Sequence, residues 1–123
     1  MKLPHEDAFR KLQLYIRGFD EEHILTLLLP YLEVTNTRRR VSIVRLIVKN
    51  INKNSRLERL LAIGIEKKLV SEIGYWLRFI LTKLDITKVM KVVKKYDGQT
   101  RDIVIYHLEH YKVYYDFVHG GEG

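Results

Sequence analysis

The chain has 123 residues, a formal net charge of +7, 46% hydrophobic residues and no cysteine. The missing cysteines exclude a disulfide scaffold, a thiol nucleophile and thiolate-bound zinc, and the apolar fraction argues for a folded core rather than a disordered chain. The apolar runs are short and broken by charges, so no membrane helix is expected, and Met1–Asp7 lacks the apolar stretch of a signal peptide. A soluble, cytoplasmic protein is the expectation.

Asp7 is placed to cap a first helix bearing Phe9, Leu12, Tyr15 and Ile16, with Gly18 as its stop. Asp20 is placed to cap a second, with Glu21 and Glu22 in the first turn, where negative charge suits the helix dipole. Ile24, Leu27, Leu28 and Leu29 form its apolar face, and Pro30 should kink or end it. Thr35-Asn36-Thr37 is a cap cluster before a helix from about Arg38 to Asn50. Val41, Val44, Val48 and Ile51 share one face of that helix, while Arg38, Ser42, Arg45 and Lys49 form a separate polar stripe.

Asn50–Asn54 reads as a loop, and Ser55 with Glu58 fits a capping box. Leu57, Leu60 and Leu61 are the core side of the helix that follows, with Gly64 as a candidate stop. Glu66 to Leu84 reads as helical, in two pieces around Gly74, with Leu69, Ile73, Trp76, Leu77, Ile80 and Leu84 buried. Asp85 is placed to cap a short helix whose Val89, Val92, Val93 and Tyr96 face inward and whose Lys88, Lys91 and Lys95 face out. Asp97–Thr100 is a turn, Thr100 a cap, and a last helix runs from about Arg101 to Tyr111. Val113–Val118 alternates β-formers and admits a short strand. The fold expected is mainly α, a compact domain of six or seven short helices. It spans 1–118 as an acidic hairpin (1–35), a basic helical unit (36–84) and C-terminal helices with that strand (85–118), followed by a loose tail, 119–123.

The charge is unevenly placed. Residues 1–35 carry four Lys/Arg and six Asp/Glu, residues 36–68 ten and two, and residues 69–123 eight and seven. A concentrated basic segment is the footprint of a phosphate-backbone binder. The competing explanation is a solvated Lys/Arg-rich surface in a protein from a thermophile, which two Gln, two Met and no Cys also suit. The acidic first 35 residues are assigned to packing or to a homodimer contact.

Thr37-Arg38-Arg39-Arg40-Val41-Ser42-Ile43-Val44-Arg45-Leu46-Ile47 resembles the first helix of ArsR-type winged-helix regulators. That resemblance implies a helix-turn-helix completed by the Ser55–Ile63 helix and a following one, with recognition side chains in the major groove. A competing stretch, Gly98-Gln99-Thr100-Arg101-Asp102-Ile103-Val104-Ile105-Tyr106-His107-Leu108, is similar to the turn and recognition helix of winged-helix proteins, with Val113–Val118 and the glycine-rich tail as an incomplete wing. The rival architecture is a short HEAT-like α-solenoid. Ile43-Val44-Arg45-Leu46-Ile47 echoes Trp76-Leu77-Arg78-Phe79-Ile80 at an offset of 33, and stacked helix pairs would present a surface for a protein partner or, being basic, for nucleic acid.

Other chemistry is weakly represented. His107 and His110 are three apart, with Asp116 and His119 beyond, but no His-Glu-x-x-His motif accompanies them and no metal is expected. Trp76 lies on the apolar stripe and reads as core rather than as a base-stacking platform. Tyr106, Tyr111, Tyr114 and Tyr115 form an aromatic cluster suited to packing or self-association. No Gly-rich phosphate loop, nucleophile elbow or close carboxylate pair is present, so neither an enzyme nor a cofactor is expected.

The reading that results is a DNA-binding protein, a small transcriptional regulator or chromatin-associated protein, with a HEAT-like protein-interaction module as the alternative. Phosphate contacts are assigned first to Arg38, Arg39, Arg40, Arg45, Lys53, Arg56, Arg59, Lys67 and Lys68. Lys88, Lys91, Lys95 and Arg101 form a second group. Gln99, Thr100, Arg101 and His107 become base readers if the C-terminal helix is the reader.

Overall fold

A computed structural model describes the backbone of residues 4–33 and 36–119 and the side chains of 10–33 and 36–110. The described residues form seven α-helices and one 3₁₀ turn, with no strand among them. The chain divides into two compact units, residues 1–52 and 53–123, so the boundary falls within the basic segment 36–68.

Unit 1 holds α1 (Pro4–Ile16), α2 (Glu21–Leu28), the 3₁₀ turn Leu29–Glu33 and α3 (Thr37–Asn50). Helix α1 opens at Pro4, so Asp7 lies inside it rather than capping it. Proline suits a first helical position because its missing N–H has no intrahelical partner there. Gly18 makes the turn to α2 at φ +88°, a conformation that costs a residue with a Cβ. Asp20 caps α2 as expected, its carboxylate accepting from the His23 N–H at 2.8 Å. Helix α2 ends before Pro30 and the chain tightens into the 3₁₀ turn. Asn36 caps α3, accepting from the Arg39 N–H at 3.0 Å; Thr35 of the expected cap cluster lies outside the described residues. Helices α2 and α3 and the 3₁₀ turn pack on one another, and Ile24, Leu25, Leu28, Leu32, Val44, Ile47 and Val48 are buried.

Unit 2 holds α4 (Asn54–Glu66), α5 (Ile73–Ile80), α6 (Ile86–Val93) and α7 (Gln99–His119). Helix α4 packs on α5 and α6, and α7 packs on α5 and α6. These are two consecutive helix pairs stacked like on like, α4 against α6 and α5 against α7. Helix starts do not keep the 33-residue offset of the sequence echo: α3 and α5, which carry it, begin at residues 37 and 73, α4 and α6 at 54 and 86, and α5 and α7 at 73 and 99.

Several local expectations are corrected. Helix α4 opens at Asn54 with Lys53 as an N-cap that makes no side-chain bond. Ser55 and Glu58 therefore lie two positions too deep to form a capping box. Gly64 does not end α4; it is buried inside it. The helix stops at Glu66, and Lys68 takes the left-handed turn at φ 56°. Residues 67–72 form a turn, so the helix expected from Glu66 to Leu84 reduces to α5. Thr100 is the second residue of α7 rather than its cap, and Gly98 makes the preceding turn at φ +102°. The strand expected at Val113–Val118 is the continuation of α7, which runs through His119. No glycine or proline interrupts residues 99–119, and strand propensity is weaker than the continuity of a started helix. The rest of the expected tail, 120–123, lies outside the described residues.

Gly64 sets the closeness of α4 and α5. A Cβ placed on it would lie 2.7 Å from Cε3 of Trp76 and 2.8 Å from Cδ1 of Ile73, both on α5. Trp76 is fully buried, and its indole N–H donates to Oε1 of the equally buried Glu72 at 3.1 Å. Gly64→Ala gains helix propensity but overpacks this seat, and we expect a net loss of about 1–3 kcal/mol. Urea unfolding followed through Trp76, the single tryptophan, reads that loss directly; an unchanged midpoint would show that the seat has slack.

Candidate nucleic-acid interface

The apolar stripes of α3 and α6 decide where their cations go. Along α3, Val44, Leu46, Ile47 and Val48 are buried, so Arg38, Arg39, Arg45 and Lys49 emerge on the exposed side with Ser42 half-buried between them. The polar stripe expected from the sequence is present as a surface. Helix α3 contains no acidic residue at all. Arg38, Arg39 and Arg45 have no side-chain partner among the described residues. Arg38 and Arg39 also sit in the first turn of α3, where the helix dipole disfavours cations by roughly 0.3–1 kcal/mol each.

Arg40 differs from its neighbours. It is buried, 8% exposed, with Nη2 donating to Oγ1 of Thr37 at 3.5 Å. It therefore stands as a packed part of unit 1 rather than as open surface.

The other predicted residues are in unit 2. Lys53, Arg59 and Lys68 are exposed, while Arg56 and Lys67 are half-buried. Lys53, Arg56, Arg59 and Lys67 have interactions within the protein; the Lys68 side chain has no partner among the described residues, while its backbone N–H donates to the Ile65 carbonyl at 3.0 Å. On α6, Val89, Val92 and Val93 are buried, so Lys88 and Lys91 face out with Lys94 and Lys95 of the turn that ends the helix. None of these four lysines has a side-chain partner among the described residues. Lys94 was missed in the sequence reading. Extending the three-residue spacing from Lys88 through Lys91 reaches it.

Asp85 and Asp97 flank the α6 lysines in sequence, both exposed, and hydroxyls donate to Asp85 and to Glu66. Thr87 donates to Oδ2 of Asp85 at 3.0 Å, and the Tyr96 phenol donates to Oε1 of Glu66 at 2.7 Å. The hydrogen bond to Glu66 pushes the Tyr96 phenol above its ordinary value, with burial and repulsion from the carboxylate acting the same way.

The residues assigned to base reading are not gathered on one surface of α7. Gln99 is exposed, Thr100 is buried at 5% exposure, and His107 is half-buried against α5. A Cβ on Gly74 would lie 2.8 Å from Nε2 of His107, so that ring occupies the space the glycine leaves. Arg101 Nε lies 3.3 Å from Asp102 Oδ1, within ion-pair range, yet this buried nitrogen makes no hydrogen bond. Thr100 and His107 thus belong to the packing of unit 2, and only Gln99 is openly presented.

No group of three potential metal ligands gathers among the described residues. Nδ1–H of His110 donates to the Tyr106 carbonyl at 2.9 Å, while the side chains of Asp116 and His119 lie outside the described residues. Tyr106 is exposed, and Tyr111, Tyr114 and Tyr115 also have side chains outside them. Among the described residues no helix is long and apolar enough to cross a membrane.

The fold and its surfaces define an all-helical chain with an exposed arginine stripe on one unit and an exposed lysine face on the other. No protein-family model matches the chain, and neither a curated protein nor a solved structure is significantly similar to it.

The Tyr96–Glu66 bond has a pH signature. The unfolded phenol titrates near pH ~10 and the folded one higher, so its stabilisation is complete below pH ~10 and is lost as pH rises through the folded value. Tyr96→Phe should lower stability at neutral pH by about 0.5–1.5 kcal/mol and remove this part of the alkaline loss. Chemical unfolding of both proteins from pH 8 to 11 measures the difference.

Proposed function

We propose that the chain binds nucleic acid through its phosphate backbone, and duplex DNA first, as a small transcriptional regulator or chromatin-associated protein. The observation that carries this reading is the unpartnered, exposed set Arg38, Arg39 and Arg45 on an acid-free α3. Arginine suits the task because its planar fork binds phosphate with two donors and pairs with guanine edges in the major groove. Arg38 and Arg45 are seven residues apart, about 10 Å along the helix axis, so the stripe spans several phosphates or base steps.

A second reading has its own support. The stacked pairs of unit 2 suit short helical repeats, which serve as non-enzymatic interaction modules for proteins. The two readings share a scaffold and differ in the occupant.

Salt separates them. A phosphate binder releases condensed counterions, so log K falls linearly with log salt, by about 0.9 per phosphate contact on duplex DNA. Fluorescence anisotropy on random duplex and single-stranded DNA across a salt series should show that dependence. Arg38→Gln/Arg39→Gln/Arg45→Gln should cut the slope by about 3 without altering the melting temperature by more than a degree or two. Arg40 is left intact because it is packed. Absence of binding by the unaltered protein at low salt overturns the nucleic-acid reading and leaves the protein-interaction module.

A further inference from the structure

We infer that the α6 lysine face is a second, sequence-independent contact for the backbone of duplex DNA, separate from the arginine stripe. The inference rests on the nucleic-acid reading above and adds to it a division of labour between the two units.

Like charges crowd this face. Lys88 and Lys91, and Lys91 and Lys94, are three residues apart, and Lys91 and Lys95 four. Lys94 keeps helical dihedrals as the C-cap, with its N–H donating to the Met90 carbonyl at 3.0 Å. Pairs at these spacings on a helix repel. A protein relieves such repulsion cheaply by placing an acid among the lysines, and α6 carries none; the exposed Asp85 and Asp97 stand only at its two ends, and neither forms an ion pair with these lysines. Asp85 accepts from Thr87 and Glu66 from Tyr96. The helix C-terminus favours cations, which lessens the repulsion without neutralising any charge. Four positive charges are left for a ligand to neutralise.

The composition of the face selects the occupant. Its exposed side chains are Thr87 and lysines, with Asp85 and Asp97 exposed at its ends and Ile86 and Met90 half-buried, and the valines of α6 point into unit 2. A membrane-surface helix needs fully exposed apolar side chains to insert, and α6 has none, Ile86 and Met90 being half-buried. The core of a protein interface is depleted of lysine and enriched in aromatic residues and arginine, which this face lacks. Lysine is a hydrated point charge without a bidentate fork. It suits an evenly charged backbone, and it adds holding power without reading bases.

The test compares the full chain with Lys88→Gln/Lys91→Gln/Lys94→Gln/Lys95→Gln in the same salt series, on two duplexes of different sequence. The expected result is a slope smaller by about 3–4 with the preference between duplexes unchanged. The arginine variant, in contrast, should lose both slope and preference. Lys91→Glu adds a control whose folding is read separately. It replaces repulsive pairs with attractive ones but sets an acid in the last turn of α6, two opposing effects, so its melting temperature should stay close to that of the unaltered protein while its DNA affinity falls by about tenfold or more. If the unaltered protein binds and the lysine variant keeps its slope, this inference falls and the nucleic-acid reading stands. If the unaltered protein does not bind, both fall. If the lysine substitutions abolish binding to phosphatidylserine vesicles yet leave the DNA slope intact, the face belongs to a membrane surface and the inference is overturned.

Discussion

Unit 2 depends on the contact between Gly64 and Trp76. The bare Cα of Gly64 lets α5 approach α4 closely enough for the tryptophan to become fully buried, and an indole of that size dominates the apolar area a small unit can remove from water. Once it is seated, its N–H requires an acceptor, because an unsatisfied buried donor costs about 1–3 kcal/mol. Glu72, one turn earlier, supplies it. The turn at 67–72 thus delivers a carboxylate to the interior, and the helix expected across that region gives way to a turn that positions one residue.

With the first pair fixed, the second follows from apolar stripes. Helix α6 is short, and burying Val89, Val92 and Val93 exhausts its inward face. The lysines have nowhere to go except outward. Gly74 repeats on a smaller scale what Gly64 does, admitting the His107 ring of α7 against α5. The same packing that builds the unit buries Thr100 and half-buries His107, so the α7 segment similar to a recognition helix gives both of these polar residues to structure.

Helix periodicity made the helices themselves legible in the sequence, and with them the outward stripes of α3 and α6, because burial of β-branched residues at spacings of three and four leaves only one arrangement for the charges. Asp20 and Asn36 announced their caps through short side chains placed before apolar runs. What stayed hidden was tertiary. Gly64 carries the same local signal whether it ends a helix or accepts a tryptophan, and only the partner distinguishes the two. Lys68 occupies a left-handed position that a rule based on glycine assigns elsewhere. Arg40 belongs by sequence to a run of three arginines, yet one step around the helix takes it from the surface to the interior. The Val113–Val118 stretch carries strand-forming residues on a helix already under way, and local preference yields to the continuing ladder of backbone bonds.

The two basic surfaces differ in the chemistry of their cations, and under the proposed reading that difference sets what each can do. Arginine presents a rigid fork that distinguishes acceptor geometries, so a stripe of arginines can register sequence as well as charge. Lysine presents a mobile point charge, so a lysine face registers charge alone. Under that reading, setting the arginine-dominated stripe on one unit and the lysine face on the other separates affinity from selectivity. The lysines hold any duplex and their contribution fades with salt, whereas selectivity depends on arginines whose geometry is set by the packing of α2, α3 and the 3₁₀ turn. A mutation that loosens the core of unit 1 then degrades selectivity before affinity, while one that loosens the Trp76 seat in unit 2 does the reverse.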